Sequence, residues 1–393
     1  MMGKRAPGTI ELSNPHGETP GDDAVEAPSL GRRAFRPRNV ASFLLALGVL
    51  YLVYRELLGL DWSEAWASVR EANAGLFVLA FAIFYCSFFL RALRWKALLS
   101  NVGYDRAPGR PIPSAFGVTR IMYVAWFANC VTVARLGDAY RAYLLKRAAG
   151  VSFAVTLGTV LAERLLDLLV LAAMMGAGVL IVFGGSLPAE ATQALAAGLI
   201  LSALGVVGLL TMRRLRGAVE RLLPKRLHAH YARLEHGVVG SLRCRLPLLV
   251  VYSAVGWLLE GAALYLVVAA TGAQVSVAGA LLVALAASLL TTVPITPAGL
   301  GFTEAGMVIM LGWLGLDIYT ATAATLLFRI INYWSIVVFG FVLYVFGRDG
   351  NRSTEERVVT PGVPTKIHSS SQADHSSKAQ PKEQEIKSST RKG

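Results

Sequence analysis

The stretch LAERLLDLLV sets Glu163, Arg164 and Asp167 inside one apolar run. Glu163 and Asp167 are four residues apart and share a helix face, and Arg164, three before Asp167, is placed to compensate it in part. Charged groups in hydrocarbon are costly and face a bundle interior or a water-filled cavity, so each is a functional candidate. Arg120, Glu260, Glu304 and Arg329 also stand deep in apolar surroundings, which makes seven such groups. A polar interior pathway accounts for the set more simply than seven separate structural pairs. A carboxylate pair could also serve acid–base chemistry, but no evident nucleophile accompanies it.

Two further stretches carry candidates. In TTVPITPAGLGFTEAG, residues 291–306, Pro294 and Pro297 lack an N–H and disfavour helix in the residue before, so a helix from about Val277 should stop near Thr292. Gly299 and Gly301 permit tight geometry, and Thr303 could cap a new helix with Glu304 in its first turn. Such a helix amino terminus inside a membrane suits an anion such as a lipid phosphate, although a simple turn between two short spans fits the local sequence equally well. In ARLGDAYRAYLLKR, Arg135, Asp138 and Arg141 read as an interfacial, cytoplasmic helix whose arginines could gather phosphate headgroups.

The elements that must hold these residues follow from composition. Of 393 residues, 54% are hydrophobic and 16% charged, and the mean hydropathy of +0.52 marks an integral membrane protein. The net charge of +13 is spread over loops beside apolar segments and reads as a topology signal; no nucleic-acid partner is expected. Cys86, Cys130 and Cys244 show no paired spacing, and neither a metal motif nor GxxxxGK[ST] is present, so no cofactor is expected.

Arg32, Arg33, Arg36 and Arg38 put the amino terminus in the cytoplasm before a first span near Val40 to Leu60. Arg91, Arg94 and Lys96 bring a second span, near Leu76 to Leu93, back inside. The stretch Met212 to Arg245, with nine Arg or Lys against two Glu, reads as a cytoplasmic loop. Between these anchors SAFGVTRIMYVAWFANCVTVA, Ser114 to Ala134, has basic segments at both ends and reads as a re-entrant hairpin. The region broken at PITPAGLG is either a second hairpin, entering from outside, or two short crossings.

The expected fold is thus all-α and polytopic, with about six spanning helices plus two broken or re-entrant helical hairpins among eight or nine apolar helical segments, an arrangement that would make an inverted repeat. Residues 1–39 and 347–393 read as disordered cytoplasmic segments flanking a membrane domain over 40–346. The setting is a plasma membrane, prokaryotic, with both termini inside.

NCVTVARLGDAYRAYLLKR, VLAERLLDLLV and PITPAGLGFTEAG, in that order, resemble the flippase-like membrane family typified by the transmembrane region of lysylphosphatidylglycerol synthase. The likeness runs from about Val40 to Phe346 and departs where the family usually has a proline (here Val133), a glutamate (here Asp138) and a second glycine (here Ala298). It implies a domain that moves or handles polar-headed lipids. The site residues that match are Arg135, Asp138, Arg141, Glu163, Arg164, Asp167, Gly299, Gly301 and Glu304, to which the residue reading adds Arg329. The tail after Arg348 is short and polar, so neither the aminoacyl-transferase domain of the synthases nor a glycosyltransferase domain is expected. The leading function is a non-enzymatic translocator of anionic lipids or lipid-linked precursors. The alternatives are an intramembrane lipid-modifying enzyme and a membrane partner of a separate synthase or glycosyltransferase.

Overall fold

The computed structural model describes residues 62–106, 112–132, 136–184, 189–291 and 297–344. The expected first span, both expected terminal segments and Arg135 lie outside these residues. Among the described residues the regular structure is helical, and four helices are long and apolar enough to cross a membrane. They are α2 (Ala74–Asn101), α5 (Phe153–Phe183), α8 (Leu246–Ala270) and α11 (Ile318–Tyr344). The chain is an all-α polytopic membrane protein.

A short helix α1 (Trp62–Glu71) precedes α2, whose first turn is capped by Asn73 Oδ1 accepting the Leu76 N–H at 3.1 Å. The start of α2 is tied to the end of α8, since the Asn73 N–H donates to the Ala270 carbonyl at 2.8 Å. Its other end meets the approach to α8, where Asn101 Nδ2 donates to the carbonyls of Ser241 and Cys244. The two helices therefore run antiparallel along their whole contact.

Between α2 and α5 lie α3 (Ala115–Val131) and α4 (Leu136–Ala149), which pack on each other. Tyr104, just beyond α2, donates to the carbonyl of Ser152, just before α5, so this pair of helices returns to the side it left. The hairpin is real but wider than the sequence reading placed it. α3 runs unbroken through the segment expected to bend, and the second limb is the charged stretch expected to lie on the cytoplasmic surface. Asn129 Oδ1 accepts the Gly137 N–H across the turn at 2.8 Å, and a Cβ on Gly137 would collide with the Ala125 carbonyl and Asn129. Glycine there lets the limbs close, and internal ion pairs described below let the face of this charged helix that carries Arg141 be buried.

Between α8 and α11 lie α9 (Val277–Leu290) and α10 (Phe302–Trp313). At 14 and 12 residues they are about 21 and 18 Å long, short of the roughly 30 Å hydrocarbon core, which favours a hairpin over two crossings. Gly279 near the start of α9 lies against Leu314 just past the end of α10, so this pair also doubles back. Spanning helix, hairpin, spanning helix thus occurs twice, and the leading helices of the two units, α2 and α8, are antiparallel. An inverted repeat predicts that relation.

The long connection between the units is helical where a polar loop was expected. α6 (Ala189–Leu222) continues beyond its apolar part, and α7 (Lys225–Leu242) packs on α5. Lys, Arg, Leu and Glu are good helix formers, so a basic surface segment need not be irregular.

Candidate functional site

The site grows from the carboxylates on α5. Glu163 and Asp167 face inward and are buried, about 15 Å or more along a helix of 31 residues. Both are met by Arg94 of α2: Nη2 donates to Glu163 Oε1 at 2.8 Å and to Asp167 Oδ2 at 2.9 Å, while Nη1 reaches Asp167 Oδ1 and Ser253 Oγ of α8. The other oxygen of Glu163 accepts from Arg141 of α4 at 2.7 Å. Arg141 also lies over the Trp95 ring, 4.3 Å from its centroid. Arg141 is thus buried inside the bundle and not on a cytoplasmic face.

Arg164 is near enough to Asp167 to act on its charge, as expected, but its hydrogen bonds go across to Asp138 of α4, with Nε donating to Oδ2 at 3.0 Å and Nη2 to Oδ1 at 2.7 Å. A third cluster joins the leading helices, with Arg91 Nη2 of α2 donating to Glu260 Oε2 of α8 at 2.6 Å. The remaining Glu260 oxygen accepts from Ser288 of α9 at 2.7 Å, and Arg91 stacks on Trp257 at 4.6 Å.

The broken segment supplies the fourth cluster. Thr292 to Thr296 lie outside the described residues; after them Pro297–Gly299 form a 3₁₀ turn in which Ala298 is left-handed (φ 48°) and Gly299 has φ 69°, and Gly301, just before the next helix, has φ 86°. Helix α10 follows, but its cap is not Thr303. Glu304 Oε2 reaches back to accept the Gly301 N–H at 2.8 Å, and Glu304 Oε1 accepts from Arg329 Nε of α11 at 2.7 Å. The chain's own carboxylate thus accepts one N–H at the helix amino terminus that the sequence offered to an anion. Just past Arg329, α11 widens into a π turn over Ile330–Trp334, a distortion frequent at functional sites.

These clusters border one cavity of about 340 Å³. Its charged lining comes from Arg91, Asp138, Arg164, Asp167, Glu260 and Arg329. Asn129 and Thr132 from the first hairpin and Thr291 and Ala298 from the second bring both turns to its wall. Three buried polar atoms on lining residues, Trp257 Nε1, Arg329 Nη2 and Asn332 Oδ1, have no hydrogen-bond partner among the described residues. Buried polar atoms are ordinarily satisfied; these three lie within the wall, shielded from the open space itself.

Of the expected site residues, Asp138, Arg164, Asp167 and Arg329 line the cavity. Glu163, Arg141 and Glu304 stand behind them as ion-pair partners, and Gly299 and Gly301 shape the turn without lining it. Arg120 departs from expectation: its side chain is exposed on α3 and joins none of these clusters. Arg91 and Arg94 were read as cytoplasmic markers, yet both are buried and paired. Leu98 and Leu99, beyond them in the sequence and fully buried, were the signal that the helix continues past its arginines.

The sequence profile described as Lysylphosphatidylglycerol synthase TM region matches residues 39–340. The chain is similar to a UPF0104 membrane protein of Methanocaldococcus jannaschii, 31% identical over 218 residues, or 56% of this chain and 93% of that protein. It is similar to a UPF0104 membrane protein of Methanothermobacter thermautotrophicus, 25% identical over 328 residues, or 77% of this chain and 94% of that one. Glycosyltransferase AglD of Haloferax volcanii is 28% identical over 144 residues, which is 36% of this chain and 22% of AglD.

Proposed function

This chain belongs to the lysylphosphatidylglycerol synthase TM-region family, and from that premise we propose that it moves polar-headed lipids between membrane leaflets. The observation that carries the reading is the cavity at the meeting of two oppositely running helix–hairpin units, lined by three guanidiniums and three carboxylates. Two-unit transporters place the substrate there, since broken helices can leave backbone polar groups free only where protein or water receives them. The volume of about 340 Å³ is that of a small-ligand site, enough for a headgroup with its tails left in the bilayer.

An enzymatic role for the carboxylate pair is less well supported. Glu163 is held by Arg94 and Arg141 and Asp167 by Arg94, so their oxygens are committed to ion pairs within the bundle. The likeness to part of a glycosyltransferase favours, as a second reading, service to a separate lipid-modifying enzyme by delivering its substrate.

The test is reconstitution into vesicles carrying acyl-chain-labelled lipids, with the outer leaflet bleached by a membrane-impermeant reductant. Translocation brings the inner-leaflet label within reach of the reductant. Bleaching that stops at the same half-way plateau with and without protein rejects the reading. Chromatography of the recovered lipids separates the two roles, because a translocator changes sidedness and leaves lipid chemistry intact.

A further inference from the structure

We propose that Arg91 holds the phosphate of the headgroup in this cavity, through the N–H groups that its carboxylate partner leaves free. The proposal deepens the translocator reading and rests on it. Along the chain Arg91 reads only as a topology marker.

The first ground is which donors reach the open space. Arg91 of α2 has a side chain 7% exposed and lines the cavity. Its Nη2 is taken up by Glu260 Oε2 at 2.6 Å. Nε and Nη1 have no hydrogen-bond partner among the described residues, and they are not sealed in protein as Arg94 Nε and Arg141 Nε are; their surface belongs to the cavity that Arg91 lines. Arg164 and Arg329 keep fewer donors free. Arg164 commits Nε and Nη2 to Asp138, while Arg329 commits Nε to Glu304 and has Nη2 sealed in the wall. On the acceptor side, both oxygens of each of Asp138, Asp167 and Glu260 already receive a hydrogen bond from the chain. Among its charged groups the wall therefore offers N–H donors, and an ionised phosphate answers with acceptor oxygens.

The second ground is how the guanidinium is held. Its central carbon lies 4.6 Å from the centre of the Trp257 ring and 5.5 Å from that of Trp126, and both indoles line the cavity. Rings over a guanidinium displace water from its faces and leave the N–H edges as the approach for a ligand. In such low-dielectric surroundings a bond to an anion is stronger than in water.

The third ground is position. Glu260 is on α8 and its other oxygen accepts from Ser288 of α9, so Arg91 stands where the leading helix of the first unit meets the second unit. A carboxylate that shares its arginine with a phosphate also repels that phosphate. Glu260 thus keeps the site from holding its cargo too tightly to release it, as passage through a membrane requires.

The experiment reads ligand-induced shifts in the melting temperature of the full chain, purified in detergent without phosphate. The probes are dihexanoyl phosphatidylglycerol, inorganic phosphate and the phosphate-free dihexanoylglycerol. The phosphatidylglycerol should give a saturable rise and dihexanoylglycerol none. A further rise with inorganic phosphate supports a site that takes phosphate from either source, and a rise with the lipid alone supports a headgroup phosphate. Equal rises with the two lipids, or no rise with either, overturn the proposal.

Arg91→Gln should weaken phosphatidylglycerol binding about tenfold or more. Glu260→Gln should bind at least as tightly as the parent, because it removes the repelling charge and leaves Arg91 in place. An Arg91 that serves the ion pair alone predicts the same loss in both variants, and that result overturns the assignment. Where a single variant does not fold, the double variant Arg91→Gln with Glu260→Gln leaves neither charge of the pair unmatched. It should bind as weakly as Arg91→Gln, and binding at parental strength overturns the assignment. Translocation is read separately in vesicles. Phosphate binding without lipid movement rejects the translocator reading alone, and lipid movement without phosphate binding rejects the Arg91 assignment alone.

Discussion

Arg329 Nε lies 2.7 Å from Glu304 Oε1, and this pair has a counterpart in Arg164 and Asp138. Asp138 and Glu304 each stand third in the second limb of their hairpin, counted from Leu136 and Phe302. Arg164 and Arg329 each stand twelfth in the long helix that follows, counted from Phe153 and Ile318. The sequence separations are 26 and 25 residues. One clamp per unit therefore ties the returning limb of each hairpin to the next spanning helix. The repeat, which has no convincing identity of sequence between its halves, is visible in this pairing.

Breaking one clamp should loosen one hairpin. Glu304→Gln or Arg329→Gln alone leaves a largely buried charge unpaired and is expected to cost about 3 kcal/mol, read as a lower melting temperature in detergent. The double variant should recover about 1 kcal/mol or more of the summed loss. Strict additivity of the two single effects would show that the contact is incidental.

Arg94 bridges three helices through Glu163, Asp167 and Ser253. Lysine keeps the charge but lacks the planar fork, so Arg94→Lys should destabilise by about 2 kcal/mol, and Arg94→Gln by about 3 to 5 kcal/mol. Equal melting temperatures for the parent and the lysine variant would mean that charge alone suffices there.

The two turns should respond to opposite substitutions. Ala298 is held left-handed, where an L-residue is strained by about 1–2 kcal/mol; after the entropy cost of glycine, Ala298→Gly should gain about 0.5 to 1 kcal/mol. Gly137→Ala instead drives a methyl into the Ala125 carbonyl and should lower both yield and melting temperature. A rise in stability for Gly137→Ala would contradict the observed closeness of α3 and α4.

Asp317, outside the spanning part of α11, caps that helix by accepting the N–H groups of Tyr319 and Thr320, each at 3.0 Å. Hydrogen bonds from Thr320, its side chain first, hold the carboxyl below its usual range. A depressed folded pKa means that the ionised cap stabilises above the unfolded value of about 3.9 and loses that contribution as pH falls through the folded value. Asp317→Asn keeps the cap without the titration. The melting-temperature gap between parent and Asp317→Asn should be constant above about pH 5 and shrink below about pH 4. A gap that widens in acid would contradict this sign.

Membership of the helical membrane class, the interruption after Thr291 and the candidacy of Asp138, Glu163, Arg164, Asp167, Glu304 and Arg329 were legible along the chain. Each depends on short-range facts: a run of apolar residues, prolines without an N–H, a charge with apolar neighbours. Which guanidinium neutralises which carboxylate was not. Arg94 meets Asp167 across 73 residues, and Arg91 meets Glu260 across 169. Nothing local distinguishes such an arginine from one that stops at the membrane surface, so Arg91 and Arg94 read as topology markers and α4 as an interfacial helix. Burial of these charges becomes affordable only after packing brings the opposite sign within about 3 Å, a condition set by helices distant in sequence. The pairing of charges around the cavity is therefore a property of the folded bundle.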